Sequence, residues 1–256
     1  MKVGIIGLGI IGKAQARMFR DHEVVEYDPA VHDSYPYAAL ERCDFAVICV
    51  GTPPNPDGSN NLSFVREAFE RLPKGLPVLI RSTVTPGTTD GLADGRLICH
   101  APEFMGENKA HPWQESYEVP YLLLGGNGES RAFFRARLRL VFPGVIHECA
   151  SLESELAKYA ANLYWATRVT YCNQLSLICE AYGADYDEVR AAWLQDPRMT
   201  SDYTEMAGHP PGFGGRCWPK DLQALIHAAV DVDVTPWFLE AVEHANLIFG
   251  GQRAAA

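Results

Sequence analysis

The chain has 256 residues, 47% of them apolar and 21% charged, a composition that supports a buried core in one large domain or two small ones. Its formal charge of −10, from 22 basic and 32 acidic residues, disfavours a phosphate backbone, so no nucleic-acid partner is expected. No run approaches the roughly 18–20 apolar residues that span a bilayer, and the N-terminus carries no secretory leader pattern. No membrane partner is therefore expected, and no bound metal is expected either. The cysteines at 43, 49, 99, 149, 172, 179 and 217 form no CxxC pair and read as those of a reducing cytoplasm.

The first predicted element is a strand over Lys2–Ile6, which runs into the turn Gly7-Leu8-Gly9-Ile10-Ile11-Gly12 and then a helix-compatible stretch to about Arg20. A second strand, 24–27, stops at Asp28-Pro29. A third, 45–50, is unbroken and rich in β-branched residues, as suits a strand covered on both faces. A Pro/Asn/Asp/Gly loop over 53–61, a helix over 63–72, and strands over 77–80, 97–100 and 121–124 follow. Strands alternating with helical stretches predict an α/β fold with a doubly wound, mostly parallel sheet. The pattern changes near residue 151: 153–182 contains no Pro or Gly and is apolar on nearly every face. That predicts a helix about 45 Å long, covered by a second domain or a partner subunit and ended by Gly183. Helical segments continue to about Phe249, broken by a Pro/Gly-rich loop over 209–220, and residues 250–256 are left out of the fold.

The glycine turn has the context that a dinucleotide-binding motif requires: a strand before it, a helix after it, and an acid at the end of the next strand. Gly7 permits the tight turn, Gly9 lets the backbone approach a pyrophosphate, and Gly12 lets the helix pack against the strand. The helix start, at Ile10 and Ile11, offers N–H groups to the phosphates. Asp28, 16 residues beyond Gly12, would accept hydrogen bonds from a ribose diol, and no Arg follows closely, which favours NAD over NADP. A ligand-free glycine turn and a strand-end Asp are the bland alternatives. The predicted division is an NAD-binding Rossmann domain over 1–150 and an all-helical domain over 151–250 with one long central helix.

A second constellation lies at Gly212-Phe213-Gly214-Gly215-Arg216-Cys217-Trp218-Pro219-Lys220-Asp221. Pro219 suits the first turn of the helix that follows, which places Cys217 just before it. Unpaired N–H groups there, with Arg216 and Lys220, stabilise a thiolate; a structural cysteine in a Gly/Pro turn is the alternative. Three further segments gather polar groups. Ser82-Thr83-Val84-Thr85 follows a strand, where α/β folds place ligand-contacting loops, although its hydroxyls would equally cap a helix. Pro102-Glu103-Phe104 also follows a strand, with Glu107 close behind, and either carboxylate would also suit a surface position. Lys158 and Asn162, spaced i, i+4, share one face of the long helix and suggest a polar pocket, although a lone Lys usually reaches out to solvent.

Six of these pieces resemble, in order and from end to end, the UDP-glucose/GDP-mannose dehydrogenase family: the turn at 7–12, Val50-Gly51-Thr52-Pro53, Ser82-Thr83-Val84, Pro102-Glu103-Phe104, the stretch from Glu155 to Asn162, and the Cys217 segment. The resemblance implies a two-step, four-electron oxidation of a sugar primary alcohol to a carboxylate with two NAD, through a thiohemiacetal and a thioester on Cys217. It implies that Lys158 and Asp221 hold the water and proton, and that Lys158 and Asn162 stabilise the oxyanion. It puts Val50, Thr52, Pro53, Thr83 and Glu107 at the cofactor, with Thr83 near water and nicotinamide and Glu107 also near the substrate. Glu103, Lys158, Asn162, Phe213, Gly214 and Lys220 fall at the substrate, Glu103 acting in acid–base or hydrolytic steps.

The sequence also departs from that family. Members continue for well over a hundred residues into a second Rossmann-like domain that helps hold the nucleotide, so a short member without it is expected. Arg216 stands where a small residue is usual, Gly106 where Arg is usual, and Asn173-Gln174 in place of Asn-Glu. The expected substrate is a nucleotide sugar or nucleoside, and the expected assembly a homodimer through 153–182. A single-step NAD-dependent alcohol or β-hydroxyacid dehydrogenase, which leaves Cys217 without a role, competes with this reading. So does a degenerate NAD-binding or oligomerisation module.

Overall fold

The computed structural model describes residues 1–106, 111–206 and 211–250. Its strands are β1 (Lys2–Ile6), β2 (Glu23–Tyr27), β3 (Phe45–Ile48), β4 (Val78–Ile80), β5 (Ile98–His100), β6 (Tyr121–Gly126) and β7 (Val145–Cys149). They form one sheet in the order β2-β1-β3-β4-β5-β6-β7. The connecting helices are α1 (Ile10–Met18), α2 (Tyr37–Leu40), α3 (Ser63–Arg71), α4 (Thr88–Leu92) and α5 (Gly128–Leu138). All pairs from β2 to β5 are parallel; β6 runs antiparallel to β5 and parallel to β7. The reversal follows from the connection: the described residues between β5 and β6 contain no crossover helix, which a parallel return requires.

Alternation along the strands splits the core in two. Val3, Ile5, Phe45 and Val47 pack with Met18 and Phe19 near α1 and with Phe134 and Leu138 of α5. Ile6, Ala46, Ile48, Val78 and Ile80 pack on the other face with Val65 and Phe69 of α3. Since both faces are covered, β3 has no polar position, which is why it reads as an unbroken apolar run. The Phe45 ring sits edge-on between Phe19 and Phe134, with centroids 5.7 and 5.6 Å away; truncating such a ring to Ala costs about 3–5 kcal/mol. The chain leaves β1 for β2 on one side and returns to β3 on the other. The carboxyl ends of β1 and β3 therefore flank the switch-point crevice where such sheets bind ligands.

The chain divides into two compact units, 1–55 with 60–158, and 56–59 with the residues from Tyr159 on. Helix α6 (Ser151–Tyr182) has 32 residues, about 48 Å at the standard rise, and runs from the first unit into the second. It ends in paired closing bonds from the N–H groups of Gly183 to Glu180 O (3.0 Å) and of Ala184 to Cys179 O (2.8 Å). Helices α7 (Tyr186–Trp193), α8 (Trp218–Val230) and α9 (Trp237–Ile248) complete the second unit. One core there joins Leu163, Ala166, Phe213, Leu222 and Val242, and another joins Cys172, Cys179 and Tyr186. None of the described helices is long and apolar enough to cross a membrane. Helices α2, α4 and α5 and strand β7 go beyond the elements predicted from the sequence.

Candidate functional site

In the first unit, the candidate residues begin with the turn between β1 and α1. A Cβ on Gly12 would lie 1.8 Å from the Gly7 carbonyl oxygen, so only glycine lets α1 start this close to the turn. A Cβ on Gly9 would meet no atom within 4 Å. Beside this open backbone, no side chain caps the N-terminus of α1, an arrangement that receives a pyrophosphate. At the end of β2, Asp28 Oδ2 accepts from the Leu8 N–H (2.7 Å) and Oδ1 from the Ala30 N–H (2.9 Å). The N–H groups of Leu8 and Ala30 hold its carboxyl below the ordinary value. Each oxygen keeps a lone pair for a ribose hydroxyl. These residues fit a dinucleotide.

Hydrogen bonds knit the neighbouring strand ends together. Thr52 Oγ1 donates to Thr83 O (2.8 Å), and Ser82 Oγ to Val50 O (2.6 Å). Buried His100 lies between Ser154 Oγ (3.0 Å from Nδ1) and Ser82 O (3.3 Å from Nε2). Burial lowers its pKa from 6.5 to about 3. The unfolded chain therefore binds a proton below about pH 6.5 that the folded ring refuses; His100 supports the fold above that pH and ceases to as pH falls towards 3. Melting temperature should fall over this window, and His100→Gln should flatten the slope in calorimetric scans.

Glu103 is held on every side. Its Oε2 pairs with Arg81 and Ser116 and faces Gln15 Nε2 (3.5 Å), while Oε1 accepts from the N–H groups of Phe104 (2.9 Å) and Met105 (3.1 Å). Burial pushes this carboxyl up most strongly, but Arg81, Ser116 and the two N–H groups outweigh it and hold the pKa down. In this arrangement Glu103 is a saturated carboxylate that fixes its own loop. The Glu103 carbonyl in turn accepts from Lys158 Nζ (2.7 Å), and that ammonium lies 4.9 Å from the centroid of the Phe104 ring. One turn earlier on α6, buried Glu155 accepts from the N–H groups of Gly87 (2.5 Å) and Thr89 (2.8 Å) and from Thr89 Oγ1 (2.6 Å), pinning α4. Glu107 lies outside the described residues.

In the second unit, the candidate residues gather at the start of α8. Cys217 is its N-cap, with Pro219 in the first turn, as predicted from the sequence. Cys217 is exposed, whereas the other cysteines are buried or half-buried. Burial pushes the Cys49 and Cys99 thiols up to about 12 and Cys43 to about 11, so these are inert packing groups. One turn beyond Cys217, Asp221 is 1% exposed and accepts from Asn162 Nδ2 (2.6 Å) and Lys220 Nζ (2.5 Å). Gly214 is exposed, whereas the Phe213 ring, expected at the substrate, is 4% exposed and packs in the core. The Phe213 backbone exchanges two hydrogen bonds with the Asn246 side chain (2.7 and 2.9 Å).

The structure thus brings together Thr52 with Thr83, Lys158 with Glu103, and Asn162 with Asp221 and Lys220. Arg81, His100 and Asn246 are not singled out by motif, and Glu155 opens the stretch to Asn162 without a role given to it. Arg81 and His100 each end or follow an apolar strand, and Asn246 interrupts an apolar helix; that pattern is the signal that finds them. Among the described residues, no group of three or more His, Cys, Asp or Glu is placed to hold a metal ion.

A doubly wound sheet with an open glycine turn at its switch point and an acid closing β2 defines a dinucleotide-binding protein of the dehydrogenase type. The chain belongs to the UDP-glucose/GDP-mannose dehydrogenase family: residues 30–142 match its NAD binding domain and 152–247 its central domain. A UDP-glucose 6-dehydrogenase of Bacillus subtilis is 32% identical over 222 residues, covering 81% of this chain and 49% of the relative. The chain spans about half the length of the curated relatives it matches. A UDP-glucose dehydrogenase from Pyrobaculum islandicum superposes with a TM-score of 0.83 at 26% identity, over 96% of this chain and 68% of that one. A 3-hydroxyisobutyrate dehydrogenase of Mycobacterium tuberculosis superposes with a TM-score of 0.74 at 17% identity, over 99% of this chain and 94% of that one, a likeness of fold alone.

Proposed function

We propose that the protein oxidises the primary alcohol of a nucleotide sugar to a carboxylate, with NAD as oxidant and Cys217 as covalent nucleophile. The observation that carries this reading is the exposed Cys217 thiol at the N-terminus of α8, one turn before a buried Asp221 held by Asn162 and Lys220. Gly7, Gly9, Gly12 and Asp28 would hold NAD, with Val50, Thr52, Pro53 and Thr83 along its path. NAD supplies a hydride acceptor for each of two oxidations. The first yields an aldehyde. The Cys217 sulfur, at the positive end of α8, adds to the aldehyde carbon, and the carbonyl electron pair moves to oxygen. Asn162 and Lys158, one turn apart on α6, supply donors to that oxygen. The second oxidation leaves a thioester. Water, positioned by Asp221 and Lys158, attacks it; the C–S bond breaks and the sulfur leaves as thiolate. Overall, alcohol, water and two NAD give carboxylate, two NADH and protons.

The test is turnover of UDP-glucose and, separately, GDP-mannose by the full chain with NAD, counting NADH and identifying the product by mass. Two NADH and an acid per substrate support the reading. One NADH per substrate points to the single-step dehydrogenase, and NAD binding without turnover to an inactive module. The reading includes a homodimer through α6, on which Leu152, Leu156, Tyr164, Tyr171, Ile178 and Tyr182 are exposed. Sedimentation at micromolar concentration should give a dimer; a stable monomer refutes that part.

A further inference from the structure

We propose that His100 is a positioning residue for the cofactor: its ring fixes the Ser82–Thr83 segment, beyond β4, in the conformation that meets NAD. This rests on the dinucleotide reading above. His100 ends β5, is 0% exposed, and takes no part in the chemistry of Cys217. A carbonyl oxygen can only accept, so the contact of Nε2 with Ser82 O requires the ring hydrogen on Nε2. Nδ1 is then the acceptor for the Ser154 hydroxyl. The low pKa keeps this neutral, single-tautomer ring through the physiological range.

The two partners are not arbitrary fillers. Ser82 itself donates to Val50 O (2.6 Å), so Ser154, His100, Ser82 and Val50 form one run of hydrogen bonds from α6 across the ends of β5, β4 and β3. Val50 lies in the loop that leaves β3 at the switch point. The next carbonyl in the chain, Thr83 O, is fixed from the same loop by Thr52 Oγ1 (2.8 Å). His100 therefore fixes one of two successive carbonyls, and Thr52 the other. Ser82 is buried, so without the His100 N–H its carbonyl must turn to find another donor and take Thr83 with it.

The test compares His100→Asn with His100→Gln in the full chain. The Asn amide reaches the place of Nδ1 and keeps the Ser154 contact alone; the Gln amide reaches the place of Nε2 and keeps the Ser82 contact. NADH binding, followed by fluorescence, should weaken about tenfold in His100→Asn, a change of ~1.4 kcal/mol. In His100→Gln it should weaken by less than about threefold, even if both variants lose equal thermal stability. Equal weakening in the two variants, or wild-type affinity in His100→Asn, overturns the proposal. A second measurement needs no variant: nitrogen-15 spectra of histidine-labelled wild type should show the Nε2–H tautomer at His100, and an Nδ1–H tautomer overturns the contact. A wild-type chain without NADH affinity fails the dinucleotide reading, and this proposal with it. Affinity in wild type that survives in His100→Asn fails the proposal alone.

Discussion

Cys217→Ser is expected to lower acid formation at least about 10³-fold, because a hydroxyl in that position is a far weaker nucleophile than a thiolate. The loss should fall on the second half of the reaction. NADH per substrate should drop from two to at most one, with aldehyde or its hydrate as the product. The surroundings of Cys217 explain why this thiol differs from the rest. It caps a 13-residue helix and is exposed, whereas Cys43, Cys49, Cys99, Cys172 and Cys179 are buried. Alkylation by iodoacetamide should follow the same division, with Cys217 modified first in the native protein. Serine at 217 should leave the fold and NADH affinity intact, since the side chain is exposed and serine is close to it in size. A variant that still forms two NADH and acid at the wild-type rate rules out the covalent route.

Gly12→Ala should be the most damaging single methyl in the first unit. The added Cβ would sit 1.8 Å from Gly7 O and 2.9 Å from Gly7 C, both backbone atoms that cannot rotate away. Helix α1 must then lift from the turn, at a cost of about 3 kcal/mol or more in stability and at least about 10²-fold in NAD affinity. Gly9→Ala is the informative partner. Its Cβ meets no protein atom within 4 Å, so the melting temperature should barely move while a bound pyrophosphate is crowded. Thermal scans and NADH titrations of the two variants separate fold from binding. Wild-type affinity in Gly9→Ala would contradict a cofactor lying over this turn.

Strands β1, β3, β4 and β5 are legible in the sequence because they are covered on both faces. β1 and β3 show no polar interruption, and the glycine turn, Asp28 and the Pro219 helix start depend on residues next to one another. β7 is not legible: it is an edge strand with exposed Val145 and His147, and its period is masked by polar side chains. In α5, Arg131, Arg135 and Arg137 interleave the apolar residues, although Asn127, whose side chain accepts from Ser130 N (2.8 Å), is a readable start signal. The direction of β6 is set by the path between strands, which local pattern does not encode. The same limit applies to the site. Arg81 meets Glu103 across 22 positions and His100 meets Ser154 across 54, so pairings of this kind arise only from the packed sheet. Glu103, whose acid–base role is implied by the family resemblance, accepts from Arg81, Ser116 and backbone N–H groups, partners that the motif does not name. Phe213 lies between glycines that suggest an open loop, yet Asn246, 33 positions on, ties its backbone while its ring packs in the helical core.

A transient bond between the substrate carbon and the Cys217 sulfur is tested most directly by acid-quenching the full chain during turnover of UDP-glucose with NAD, then mapping peptides by mass. A hydroxylamine-labile adduct of the uronyl mass on the Cys217 peptide, lost on standing with the release of acid, is the predicted result. Steady production of acid and two NADH with that peptide unmodified at every quench time would contradict it.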